Sequence, residues 1–225
     1  MIPLGVFSQD KLVHQVYLVG DAGNASAEGT VIEKLKTELE SKEVRSTVIF
    51  LGDNIYPTGL SDTTSTTRKT EEQELNTQLL PLKGLSESII MIPGNHDYNK
   101  GHKNGYAYLA NQRTYVQNLL GDSTYYPLDG CPGPQEISIG DDVILVVIDT
   151  EWLLYNKYKR NDACDCQSNE EVYLALEDIV KRNFDKRILV VGHHPVITYG
   201  NHGGKFSFKD HVFPLTALSK YAYLP

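Results

Sequence analysis

The sequence predicts a layered α/β domain. Short apolar, β-branched runs alternate along the chain with stretches of helical periodicity. Four of those runs stop abruptly at Gly-Asp, Pro-Gly-Asn or Gly-His steps. The length of 225 residues, with 40% hydrophobic and 22% charged residues, fits one packed domain of ordinary size.

The elements follow in order. Val16-Tyr17-Leu18-Val19 closes at Gly20-Asp21 and reads as a buried strand. Residues 27–41 set Val31, Leu35 and Leu39 at helical spacing with charges between them. Residues 47–51 form a second buried strand, ending at Gly52-Asp53. The Ser/Thr-rich stretch 61–67 is a loop or helix entry, and 68–82 is helical. A third strand, 88–92, closes at Pro93-Gly94-Asn95-His96-Asp97 and is followed by a Tyr-rich helix over 106–120. Residues 135–139 and 143–148 read as a strand pair turned at Gly140-Asp141. Ser168 with Glu171 three residues on has the form of a capping box, opening a helix to about residue 183. The last strand, 187–191, ends at Gly192-His193-His194-Pro195.

The net charge of -8 disfavours a duplex nucleic-acid partner, which needs a basic surface. It does not disfavour a phosphate site, because bound cations reverse the local field. No apolar run reaches the roughly 20 residues that span a bilayer. The start of the chain, Met1-Ile2-Pro3-Leu4-Gly5-Val6-Phe7, lacks the basic and long apolar regions of a signal peptide. Cys131, Cys164 and Cys166 are too few for a disulfide framework. Cys164-Asp165-Cys166 lacks zinc-ribbon spacing and is expected in a surface loop with one optional disulfide.

Ligands bind at the carboxyl ends of strands in α/β sheets, and that is where the polar residues of this chain collect. Taken singly, each has an ordinary reading. Asp21 and Asp53 suit turns or helix caps, and Tyr56 suits a satisfied core or surface phenol. Asn95 suits a polar loop, and His193 and His194 suit core histidines flanking a proline turn. Together, hard oxygen donors and imidazole describe a site for first-row metal ions. A carboxylate shared between two such ions brings them within about 4 Å, the spacing of two-metal hydrolases.

The ordered series Gly20-Asp21-Ala22-Gly23, Gly52-Asp53-Asn54-Ile55-Tyr56, Gly94-Asn95-His96-Asp97 and Gly192-His193-His194-Pro195 resembles the calcineurin-like metallophosphoesterases. Tyr56, three residues after Asp53, is similar to the purple acid phosphatase type. The run from Gly192 to Gly203, with His202 nine residues beyond His193, resembles the tartrate-resistant acid phosphatase group. The resemblance implies an α/β/β/α sandwich and hydrolysis of small phosphate monoesters. It also implies ferric iron plus a divalent iron, zinc or manganese ion, and an extracytoplasmic location. By residue, Asp21 and Tyr56 would hold the ferric ion, Asp53 would bridge, and Asn95 and His193 would hold the divalent ion. His96 and His202 would face the phosphate. Asp97 would either orient His96 or stabilise its turn. A phosphodiesterase of the same superfamily and a non-catalytic scaffold are the alternatives.

The family also carries a Gly-His-x-His motif near its C-terminus, which this sequence lacks. Its last histidine, His211, lies in Lys209-Asp210-His211-Val212. The expectation is therefore that residues 1–225 are an N-terminal fragment of the full domain, with a reduced family member as the alternative.

Overall fold

The computed structural model describes residues 13–23, 31–154 and 164–197. The chain divides into two compact units, Met1–His193 and His194–Pro225. In the second, the described residues 194–197 form no helix or strand, with Val196 and Ile197 exposed.

In the first unit, β1 (His14–Val19), β2 (Arg45–Phe50) and β3 (Ser88–Met91) form a parallel sheet in the order β1-β2-β3. A second sheet orders β4 (Gln135–Ile139), β5 (Val143–Val147) and β6 (Arg187–Val191), with β4 antiparallel and β6 parallel to β5. The hairpin expected over 135–148 is thus present.

Burial along the strands shows the layering. Val48, Phe50, Ile89 and Met91 pack with Leu35 and Leu39 of α1 (Val31–Ser41), Leu75 and Leu79 of α2 (Arg68–Leu79), and Leu109 and Val116 of α3 (Gly105–Leu120). Their alternates Ile49, Ile90 and Ile92 pack instead against Leu145, Val147 and Val191 of the second sheet. On that sheet's far side, Ile144 and Val146 meet Ile179 of α5 (Asn169–Arg182). Helices, sheet, sheet and helix therefore stack as α/β/β/α. The central strands read as unbroken apolar runs because the period-2 alternation sends residues into two cores. Truncating a fully buried residue such as Leu145 to Ala is expected to cost about 2–5 kcal/mol.

Several local expectations change. In α1 the inward stripe is Ile32, Leu35 and Leu39, whereas Val31 is exposed. α2 ends at Leu79, and Leu80–Leu82 tightens into a 3-10 turn around Pro81, which has no N–H to continue the helix. A short helix not foreseen, α4 (Thr150–Leu154), follows β5. The capping box is present: Ser168 Oγ accepts from Glu171 N at 3.2 Å, and Glu171 Oε2 accepts from Ser168 N at 3.1 Å. Cys164 and Cys166 are buried rather than in a surface loop. Cys164 pairs with Cys131 across 33 residues, and the free Cys166 packs with Ile148, Trp152 and Val172.

Candidate metal centre

The C-terminal ends of β1, β2, β3 and β6 deliver the polar residues to one place. The loops after β1 and β2 are stitched together by backbone bonds. Asp21 N donates to Gly52 O at 3.2 Å, Gly23 N to Asp53 O at 3.0 Å, and Tyr56 N to Gly23 O at 3.1 Å. Asp21 and Asp53 both adopt left-handed backbone, with φ of 54° and 53°. Aspartate tolerates that region better than most residues, and such conformations collect at functional sites.

Close approach explains the neighbouring glycines. A Cβ on Gly52 would come within 2.6 Å of Gly94 N and 2.8 Å of His193 Nδ1. A Cβ on Gly94 would lie 2.5 Å from Asp53 N and 2.8 Å from His193 Cε1. The β2 and β3 loops and His193 meet closely enough to leave no room for a side chain at either position.

Asp53 is the hub of the site. It is 4% exposed. Its Oδ1 accepts from His96 N at 2.9 Å and its Oδ2 accepts from Tyr56 Oη at 3.0 Å. The same phenol oxygen lies 2.9 Å from Asp21 Oδ1, so its single proton is shared between the two carboxylates. His193 Nε2 lies 3.5 Å from Asp53 Oδ1 and 3.2 Å from Asn95 Oδ1. One donor atom from each of Asp21, Asp53 and His193 falls within 4.8 Å of the others.

The histidine tautomers follow from their partners. His193 Nδ1 lies 2.9 Å from Leu51 O, which only accepts, so Nδ1 carries a proton. In the neutral ring, Nε2 then offers its lone pair toward Asp53 and Asn95. His96 Nδ1 likewise donates to Pro57 O at 2.7 Å. Its Nε2 lies 3.8 Å from Asp53 Oδ2, and its ring sits edge-on to Tyr56 at 4.4 Å.

The open choice for Asp97 is decided by its contacts. Its fully buried carboxylate accepts from Gly94 N at 2.8 Å, Asn54 N and Asn54 Nδ2 at 3.0 Å each, and Gln112 Nε2 at 3.0 Å. It stabilises the turn and clamps the β2 and β3 loops together, while Pro57 O fixes the His96 ring. Burial pushes the Asp97 carboxyl up to about 7, against the pull of the bonds from Gly94 and Gln112.

Sequence reasoning missed several groups. Asp149, one residue past Ile148 and 1% exposed, accepts from Tyr98 Oη at 2.5 Å and caps α4 through Trp152 N at 2.9 Å. Burial raises its carboxyl to about 6 and that of Glu151 to about 7. The Asp149-Thr150 step has the look of a helix N-cap, and that was the only local signal. Asn99 and Lys100 follow Tyr98 with φ of 49° and 50°, a conformation that costs about 1–3 kcal/mol per non-glycine residue. His202 lies outside the described residues.

Two carboxylates, a phenol, an amide oxygen and an imidazole nitrogen converge here, a donor set that fits first-row metal ions. Burial, with the Asp21 hydrogen bond next, pushes the Tyr56 phenol far above its ordinary range, so without a cation it stays protonated between the two carboxylates. The residues present thus fit a metal centre built on Asp21, Asp53 and His193, with Tyr56 and Asn95 at its edges.

The chain matches the calcineurin-like phosphoesterase family over residues 14–218, and it belongs to that family. No curated protein matches it. Among solved structures it is similar to one described as "GAP50 the anchor in the inner membrane complex of Plasmodium". That likeness has 16% identity and a TM-score of 0.47, covering 91% of this chain and 62% of the other. The chain therefore spans less than two thirds of the length of that protein.

Proposed function

We propose that this calcineurin-like phosphoesterase hydrolyses phosphate monoesters at a two-metal centre of the purple acid phosphatase type. The observation that carries the reading is the position of Tyr56 Oη, 2.9 Å from Asp21 Oδ1 and 3.0 Å from Asp53 Oδ2, beside the Asp21, Asp53 and His193 cluster. A phenol between those carboxylates suits ferric iron, held by Asp21 and Tyr56. Asp53 would be shared between the two ions. Asn95 and His193 would hold the divalent ion, iron, zinc or manganese. When bound, the ions supply a low-pKa water and neutralise charge on the phosphoryl oxygens.

The chain's own residues supply the rest. Asp53 accepts the His96 backbone N–H, which ties the His96 loop to the bridging carboxylate. Pro57 O holds the His96 ring by Nδ1, so an imidazolium would carry its second proton at Nε2, available to the departing oxygen. His202 would stabilise the phosphate as a second donor. Held on ferric iron, a tyrosine phenolate would withstand acid better than an all-imidazole shell, whose ligands are lost to protonation as pH falls, so an acidic working range is expected. An extracytoplasmic location is supported by the Cys131–Cys164 disulfide, since such bonds persist in oxidising compartments. No helix among the described residues is long and apolar enough to cross a membrane.

The test loads the metal-free chain with iron and zinc and compares p-nitrophenyl phosphate with bis(p-nitrophenyl) phosphate. Preference for the monoester, with two ions bound per chain, supports the proposal. Preference for the diester moves the chain to phosphodiesterase chemistry. Two ions bound without turnover of either ester would indicate a scaffold.

A further inference from the structure

We infer that Tyr98 and Asp149 form a positioning pair that sets where the Asn95-His96 loop stands against His193. The inference rests on the metal-centre reading above and adds two residues outside its donor set.

The loop after β3 folds back on itself. Lys100 N donates to Asn95 O at 3.0 Å and Asn99 N to His96 O at 2.9 Å. Asn99, Lys100 and Gly101 all have left-handed backbone, with φ of 49°, 50° and 71°. A strained turn of this kind persists only where its surroundings over-determine it. Its anchor is the buried Tyr98, whose hydroxyl donates to Asp149 Oδ2 at 2.5 Å. That length belongs to charge-assisted O–H···O bonds.

Asp149 is itself held on every side. Its Oδ1 accepts from Trp152 N at 2.9 Å and its backbone N donates to Pro132 O at 2.9 Å. The residue before it, Ile148, donates its N–H to Val191 O at 3.0 Å. The residue after it, Thr150, packs so closely on Gly192 that a Cβ there would meet Thr150 Cγ2 at 2.6 Å. Asp149 is therefore built onto the strand end that carries His193. Asn95 Oδ1 faces His193 Nε2 at 3.2 Å. The contacts close a ring from Asn95 through Tyr98 and Asp149 to Gly192 and His193, joining a donor on the first sheet to a donor on the second. A buried tyrosine with a satisfied hydroxyl is ordinary core practice. This one links the two loops that hold the same ion, and supporting contacts of that kind orient metal donors.

Tyr98→Phe keeps the ring and removes the bond. In calorimetric titration of the metal-free protein with Zn²⁺, the more weakly bound ion is expected to lose about 10–100-fold in affinity while the tighter one is unchanged. Phosphatase activity should fall at limiting Zn²⁺ and recover in excess. Val116→Ala, a core truncation in α3, serves as the stability control and should leave both affinities as in the wild type. Asp149→Ala removes the acceptor and probes the same bond from the other side, should Tyr98→Phe not fold. Wild-type affinity for both ions in a folded Tyr98→Phe or Asp149→Ala protein overturns the pairing. So does equal loss of the weaker ion in Val116→Ala. A wild-type protein that takes up no Zn²⁺ would sink the metal-centre reading itself, a result distinct from normal wild-type binding with unaffected variants.

Discussion

The Tyr56 hydroxyl and the Asp21 carboxylate, 35 residues apart in sequence, meet at 2.9 Å. If that oxygen pair holds ferric iron, the iron-loaded protein absorbs in the visible through phenolate-to-metal charge transfer. Tyr56→Phe is expected to bleach that band with the far-ultraviolet circular dichroism unchanged. A coloured Tyr56→Phe protein would remove Tyr56 from the donor set.

Asp53, proposed to be shared by both ions, also accepts the His96 backbone N–H at 2.9 Å. Asp53→Ala is accordingly expected to lose both ions, read by elemental analysis of the purified protein. Retention of the full metal content would show that the bridge is elsewhere.

His96 and His202 are assigned to the phosphate. Each change to alanine should lower kcat by about 10²–10⁴-fold with metal content intact, measured in parallel on the same preparations. Full activity in His202→Ala would remove His202 from the assignment and leave His96. Loss of an ion in either variant would move that residue into the coordination shell.

Asp97 receives four hydrogen bonds in a fully buried position. Asp97→Ala leaves those donors unsatisfied and should cost about 3–5 kcal/mol in urea unfolding. Asp97→Asn keeps an acceptor oxygen and should cost less. A near-neutral Asp97→Ala would mean that water replaces the carboxylate.

Stability of the metal-free protein should depend on pH through Asp97, Asp149 and Glu151, raised to about 7, about 6 and about 7 by burial. Their folded values exceed their unfolded ones, so the folded state binds more protons. Stability is then full below the unfolded values and falls as pH rises from about 4 towards about 7. Glu151→Gln should flatten that decline, giving a Tm above wild type at about pH 8 and close to it at about pH 4. Parallel Tm profiles for the two proteins would place the titration on other groups.

The strand ends that carry Asp21, Asp53, Asn95 and His193 were legible in the sequence. Parallel strands with both faces buried must be continuous apolar runs, and ligands gather where such runs stop. The glycines beside them were legible as turn signals, though not the reason for them, which is the close approach of Gly52, Gly94 and His193. The partners of Asp97 and the Tyr98–Asp149 bond were not legible. Asp97 could as well have oriented His96, because a carboxylate one residue from a histidine fits either role. Tyr98 and Asp149 are 51 residues apart and meet only because the two sheets stack face to face. Local sequence determines which residues leave a strand at its end. Only the packing of one sheet on the other decides which of them touch, because that depends on relative positions no local pattern encodes.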